Sequence, residues 1–277
     1  MILYFGDDDM TRAAAYLAGI LHHFNLPFEH IDSTAPLSDA LLSQKVDAFI
    51  LSDYPRKRFK DGQLEKIRDA VSHGAGLLMI GGWESFYGKN GEYHDTCLAE
   101  VLPVTMQNHD DRRQFCQPLM VRLRRPHPVL DKLSWSRPPC IVGLNSVKAK
   151  PNTETVLEAL RIDIRVVDED QVADYLNDSI CFVSGKPIDE RASLSLPSGE
   201  TLLVSVSERF PLLTLGKFGQ GRTAAYMSDA APHWVGNFID WGHSHIAQTL
   251  PGGHSIEVGA DYAQFFHQLV SWTAKQM

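Results

Sequence analysis

The sequence predicts an α/β protein with a mostly parallel sheet and helices on both faces. Two observations predict it. Short apolar runs recur through the first hundred residues and close on turn residues. Stretches with helical spacing of apolar residues fill the intervals between those runs. Strands that alternate with helices imply parallel pairing through right-handed crossovers.

The elements follow in order. "ILYF" (Ile2–Phe5), closed by Gly6, predicts a buried strand, and Leu17, Ile20, Leu21 and Phe24 then trace one face of a helix. "FEHI" (Phe28–Ile31) reads as the second strand and "LSDALLSQ" as a short helix. "VDAFILS" (Val46–Ser52) is a third strand. In "DGQLEKIRDAVSHG", Leu64, Ile67 and Val71 share a helical face, with Asp61 as N-cap and Gly74 as stop. "GLLMIGG" supplies the fourth strand. From about 103 to 210 the pattern loosens into extra strands, with a hairpin around Pro197–Gly199. "PLLTLGKFGQGRTAAYMSD" predicts a second hairpin turning at "GQG", whose second run ends at Ser228-Asp229. Tyr262, Phe265, Phe266 and Leu269 mark a closing helix.

Composition bounds the function. The chain has 277 residues, 44% of them hydrophobic, and a net charge of −8. That balance argues against nucleic acid and anionic membrane as partners, since both require a basic footprint. Cys97, Cys116, Cys140 and Cys181 form no close pair of the kind that binds zinc. The opening "MILYFGDDD" resembles no secretion signal, and no apolar stretch reaches bilayer length. A cytoplasmic protein with reduced thiols is expected. No cofactor is implied.

In open parallel sheets, ligands sit outside the carboxyl ends of the strands. The residues to inspect are therefore Asp7, Asp8 and Asp9, then Ser52, Asp53 and Tyr54, then Gly81 to Glu84, and Asp229 after the last strand. The carboxylates Asp7–Asp9 read as helix N-terminal caps or, less simply, as cation ligands. His243, His245 and His254 occur in "GHSHIAQTLPGGH"; a metal site and solvated loop histidines are both open readings. "YPRKRFK" (Tyr54–Lys60) is the one basic cluster, either a solvated loop or an anion contact.

Several segments in this order resemble a known family: "VDAFILSDYP", "GAGLLMIGGWESFYG", "EYHDTCLAEVLPV", "PHPVL" and "GKFGQGRTAAYMSDAAPHW". They are similar to the putative glutamine amidotransferases of the class I glutamine amidotransferase-like superfamily, near the trehalose-utilisation-type proteins. The resemblance implies a flavodoxin-like fold in one domain over 1–277, with insertions at about 161–208 and 242–259. It also implies a test of activity. Active members place cysteine in a G-x-C-x-G elbow, with a histidine and a glutamate two residues apart after a late strand. Here Trp83 falls at the nucleophile position and Ser85 at the last glycine. His233 lies in the region of the histidine, but Val235 stands in place of the glutamate. Glutaminase chemistry is not expected.

The expectation is a protein that binds a small polar ligand or a partner at the strand carboxyl ends. Its candidate acid–base residues are Glu84, Asp229 and His233. Its candidate ligand contacts are Asp53, Gly81, Gly82, Trp83, Ser85, His94 and Trp234, with no metal assigned. Two alternatives stay open: a hydrolase or lyase using Glu84 and His233 as acid and base, with or without the help of a metal held by aspartates or histidines, and a homo-oligomer that covers Trp83 and Phe86.

Overall fold

The computed structural model describes residues 1–167, 182–183, 186–187, 191–195, 197 and 199–277. The acidic stretch beyond 167 and Cys181 lie outside the described residues.

Four strands open the chain: β1 (Ile2–Gly6), β2 (Phe28–Ile31), β3 (Ala48–Ser52) and β4 (Gly76–Ile80). Helix α1 (Ala14–His23) links the first pair, and α2 (Asp39–Leu42) and α3 (Gln63–Ser72) follow β2 and β3. Every residue of β1, β3 and β4 is buried, as expected for parallel strands covered on both faces. After α4 (Leu98–Val101) come β5 (Val104–Thr105), β6 (Arg112–Leu123), β7 (Cys140–Asn145), β8 (Lys148–Ala149) and β9 (Glu154–Val167). The pairs β10 (Phe182–Val183) and β11 (Lys186–Pro187) precede β12 (Arg191–Ser195), β13 (Thr201–Phe218) and β14 (Gly221–Tyr226). A hairpin of β15 (His245–Thr249) and β16 (Ser255–Gly259) leads into the last helix, Ala260–Thr273.

The main sheet runs β2-β1-β3-β4-β14-β13-β9-β6-β7, with β12 attached to β13. From β2 to β14 every pairing is parallel, in the flavodoxin-like order. From β14 to β7 every pairing is antiparallel. The predicted hairpins are both present: Ser195 pairs with Thr201, and Phe218 with Gly221. The loosely patterned middle region thus extends the same sheet. Helix α1 packs with the last helix, and α3 packs with α2 and α4. Tyr226, Phe238, Tyr262, Phe265 and Phe266 form an aromatic cluster between β14 and the last helix.

Three details depart from the sequence reading. Asp7, Asp8 and Asp9 do not cap α1, which starts at Ala14 without a side-chain cap. The chain turns away first, through the left-handed conformations of Gly6 (φ 106°), Asp7 (56°) and Asp8 (58°). A Cβ at residue 6 would lie 1.6 Å from the Ser52 carbonyl oxygen, so glycine is required there. Second, the metal reading of His243 and His245 needs both on one strand, where residues two apart point to one face; β15 begins at His245, so His243 precedes the strand. Third, Phe86 is fully buried, whereas Trp83 is 38% exposed. Only the tryptophan of that pair is available to another subunit.

Candidate functional site

Four strand ends converge. Asp7 follows β1, Asp53 follows β3, Trp83 and Glu84 follow β4, and Asp229 follows β14. These residues, with Asp8, Ala13, Ser33, Lys89, Asn90, Ala231 and His233, line one cleft of about 350 Å³. The cleft lies at the crevice between β1 and β3, where the connections diverge to opposite sides of the sheet.

Hydrogen bonds fix the loops to one another. The Glu84 N–H donates to Asp53 Oδ1 at 2.7 Å, and the Asp53 N–H donates to Ser85 Oγ at 3.0 Å. Ser33 Oγ donates to the Asp53 carbonyl at 2.9 Å and accepts from the Asp8 N–H at 2.9 Å. The Tyr4 hydroxyl donates to Asp7 Oδ2 at 2.5 Å. Asp229 Oδ1 accepts from the Ala231 N–H at 2.8 Å, closing the turn after β14.

Among the described residues the deep carboxyls have no cation partner, while Lys89 and His233 line the outer part of the cleft. Asp7 and Asp229 are each 4% exposed, and among the described residues no cation pairs with either of them or with Asp53. Burial pushes the Asp7 carboxyl from 3.8 up to about 7; the Tyr4 hydroxyl opposes this and the Asp8 charge adds to it. Burial also raises Asp53 well above the carboxylate range, with the Asp7 charge as the next cause. Asp229 is raised in the same way, by burial and then by Asp53 and Asp7. Carboxyls that share a buried site cannot all ionise, so the three titrate as a group.

The turn after β4 is held from a distance. Gly81 N–H donates to the Tyr226 and Ser228 carbonyls at 2.8 and 3.0 Å. Asn145, at the end of β7, accepts from the Gly82 N–H at 2.9 Å and donates to the Gly82 carbonyl at 3.1 Å. The same Nδ2 donates to Asp111 Oδ1 at 2.8 Å, and the Asp111 carboxylate accepts from Tyr87 N–H and Gly88 N–H. A Cβ at residue 82 would lie 2.0 Å from Asp53 Oδ1, so the second glycine lets the turn close on the carboxylate. Asn145 and Asp111 were missed at the level of sequence, because Asn145 ends β7 and Asp111 just precedes β6, both outside the parallel strands that direct attention to the site, and neither carries a motif.

Trp83 stands at the rim. The Arg112 guanidinium lies 4.4 Å from its ring centroid and the Lys89 amine 5.9 Å, while the His233 ring meets it edge-on at 5.8 Å. Glu84 Oε1 accepts from Asn90 Nδ2 at 3.1 Å.

The structure therefore brings Asp53, Trp83, Glu84, Asp229 and His233 together around one cleft. His233 is exposed, and its ring nitrogen lies 3.5 Å from Gln114 Nε2; no hydrogen bond joins it to Asp229 among the described residues. Gly81, Gly82 and Ser85 form the turn beneath the cleft rather than its lining. Two residues lie apart. Trp234 is buried against Gly143 of β7, and His94 sits in a short turn with its ring 4.9 Å from that of Tyr87. The basic cluster faces elsewhere: Arg56, Lys57 and Lys60 line a separate cavity with Asp61 and Glu65. His243, His245 and His254 are exposed. No group of three or more His, Cys, Asp or Glu side chains among the described residues is arranged to hold a metal ion.

The fold and cleft define a doubly wound α/β protein with a carboxyl-lined crevice at its strand ends. The family described as "Putative glutamine amidotransferase" matches residues 38–167 and 194–248, more than half of the sequence, and the chain belongs to that family. No curated protein matches the chain as a relative. Among solved structures, a cytoplasmic protein of Salmonella typhimurium superposes with a TM-score of 0.66 at 22% identity, over 98% of either chain. A second cytoplasmic protein, from Salmonella typhimurium LT2, gives 0.59 at 24% identity, over 84% of this chain and 89% of its own. These likenesses show the fold. No helix among the described residues is long and apolar enough to cross a membrane.

Proposed function

We propose that this chain is a member of its family without glutaminase activity, and that the cleft binds a small polar ligand rich in hydroxyl or amino donors. One observation carries the reading: Asp53 Oδ1 occupies the N–H of Glu84 at 2.7 Å. In a nucleophile elbow, the N–H of the residue after the tip faces the oxyanion. Here that donor is spent on a carboxyl, and the tip carries an indole with no nucleophilic atom. An oxyanion arriving at this turn would also meet Asp53. Donor-rich ligands suit the cleft instead, because Asp7, Asp8, Asp53, Glu84 and Asp229 all present oxygens to it. We place the protein in the cytoplasm. Support comes from its free thiols and from the two Salmonella relatives, which are described as cytoplasmic proteins.

The test has two arms. Ammonia release from glutamine is measured with wild type and with Trp83→Cys, and neither is expected to exceed background. Thermal shift with a panel of polyols and small amines is expected to give stabilisation that Asp229→Asn removes. Glutamine turnover by pure wild type that a Trp83 substitution abolishes refutes the reading.

A second reading, a hydrolase or lyase, has one observation in its favour. An Asp7 carboxyl poised at about 7 suits general acid–base work near neutral pH, with Glu84 and His233 at the same cleft. Any activity found should then follow a pH profile that Asp7→Asn displaces; an unchanged profile removes this reading.

A further inference from the structure

Among the described residues, strand β9 leaves one edge open. On one side β13 pairs with it through Val167. On the other side β6 pairs only with Leu157–Leu160. Among the described residues, no strand pairs with the outer edge of β9 from Arg161 onward. Such an edge offers a row of unpaired N–H and C=O groups to any extended segment. Its side chains do not discourage pairing. Ile164 is 58% exposed and Val166 is 63% exposed; among the described residues the other exposed large hydrophobics are Trp83 and Met277, both less open. Ile162, Ile164 and Val166 share one face of the strand, while Arg161, Asp163 and Arg165 share the other.

We propose that this edge is a homodimer interface, in which Ile162–Val166 of two copies pair antiparallel about a two-fold axis centred on Ile164. The sequence of the edge is self-complementary in that register. Ile164 meets its own counterpart, Ile162 lies opposite Val166, and Asp163 lies opposite Arg165. All three pairings are of the favourable kind across antiparallel strands. A shift of the axis to Asp163 sets Asp163 against itself and Arg161 against Arg165, two like-charge pairs that disfavour the register. An axis that maps one edge onto itself gives a closed, isologous contact and does not propagate into a fibre. The dimer joins the two main sheets into one and covers the exposed Ile164 and Val166.

Light scattering coupled to gel filtration tests this with the full chain. Wild type should elute at twice the chain mass of 31.0 kDa. Ile164→Lys should elute at the single-chain mass, with an unchanged circular dichroism spectrum. Asp163→Arg and Arg165→Asp should each weaken the dimer at least tenfold, and the double variant carrying both should restore it. A monomeric wild type at micromolar concentration overturns the proposal. So does a dimer indifferent to Ile164→Lys, or a double variant no better than either single one.

Discussion

Replacing Asp7 by Asn should stabilise the protein, and more so as pH rises. Burial lifts the Asp7 carboxyl from 3.8 to about 7. A group whose folded value is raised above its unfolded one binds its proton more tightly in the native state. For such a carboxyl, the native state is favoured most below the unfolded value, loses stability as pH climbs through the interval, and levels off above about 7. That displacement corresponds to a few kcal/mol at the upper plateau, shared with Asp53 and Asp229, which titrate with Asp7 as a group. The opposing loss is smaller. Asp7 Oδ2 accepts from the Tyr4 hydroxyl, and a carboxamide oxygen accepts equally well. Complete loss of that hydrogen bond would orphan the buried Tyr4 hydroxyl at about 1–3 kcal/mol, still the smaller effect at high pH. Desolvation therefore decides the sign. Urea unfolding at pH 4 and at pH 8 measures it: the two proteins should be nearly equal at the lower pH, and Asp7→Asn should be more stable by up to a few kcal/mol at the higher. A variant that is destabilised equally at both values refutes the reasoning, because the carboxylate would then be a structural acceptor in its ionised form.

The turn after β4 gives two more tests. Asn145→Leu leaves the Gly82 N–H and carbonyl and the Asp111 carboxyl without this partner, and should cost about 3 kcal/mol or more in urea unfolding; a loss below about 1 kcal/mol shows that the turn holds without the amide. Gly82→Ala places a methyl on the Asp53 carboxyl and should cost about 1–3 kcal/mol, with a lowered Tm. An unchanged Tm in that variant means the β3 and β4 loops are free to part.

The parallel half of the fold was legible because its signal is local. β1, β3 and β4 are apolar runs buried on both faces, and their lengths and closing residues mark them in one dimension. The positions of Asp53, Glu84 and Asp229 followed from that pattern, since the carboxyl end of a parallel strand is a place that sequence can name. The middle region was less legible. β9 and β13 pair over most of their length through several register shifts, which blur the alternation of sides. Trp234 illustrates a second limit. It is adjacent to His233 in sequence, yet one faces the cleft and the other packs on Gly143, and chain proximity does not predict which way each residue of a single helical turn faces. Capping by Asp7–Asp9 failed for a related reason: three successive left-handed residues separate the strand from its helix, and that reversal carries no hydrophobic signature.

Asn145 has a wider consequence. It ends the outermost strand of the antiparallel half, yet its N–H reaches the Met227 carbonyl beyond β14, and its amide clasps the turn after β4. The sheet is thus latched to its own middle, like a belt whose free end is tucked under the buckle. The five parallel strands cannot be excised as a minimal module with the crevice intact, because the clasp belongs to the part that would be cut away. Divergence in the antiparallel half is consequently constrained at its far tip, even where the strands between are free to vary.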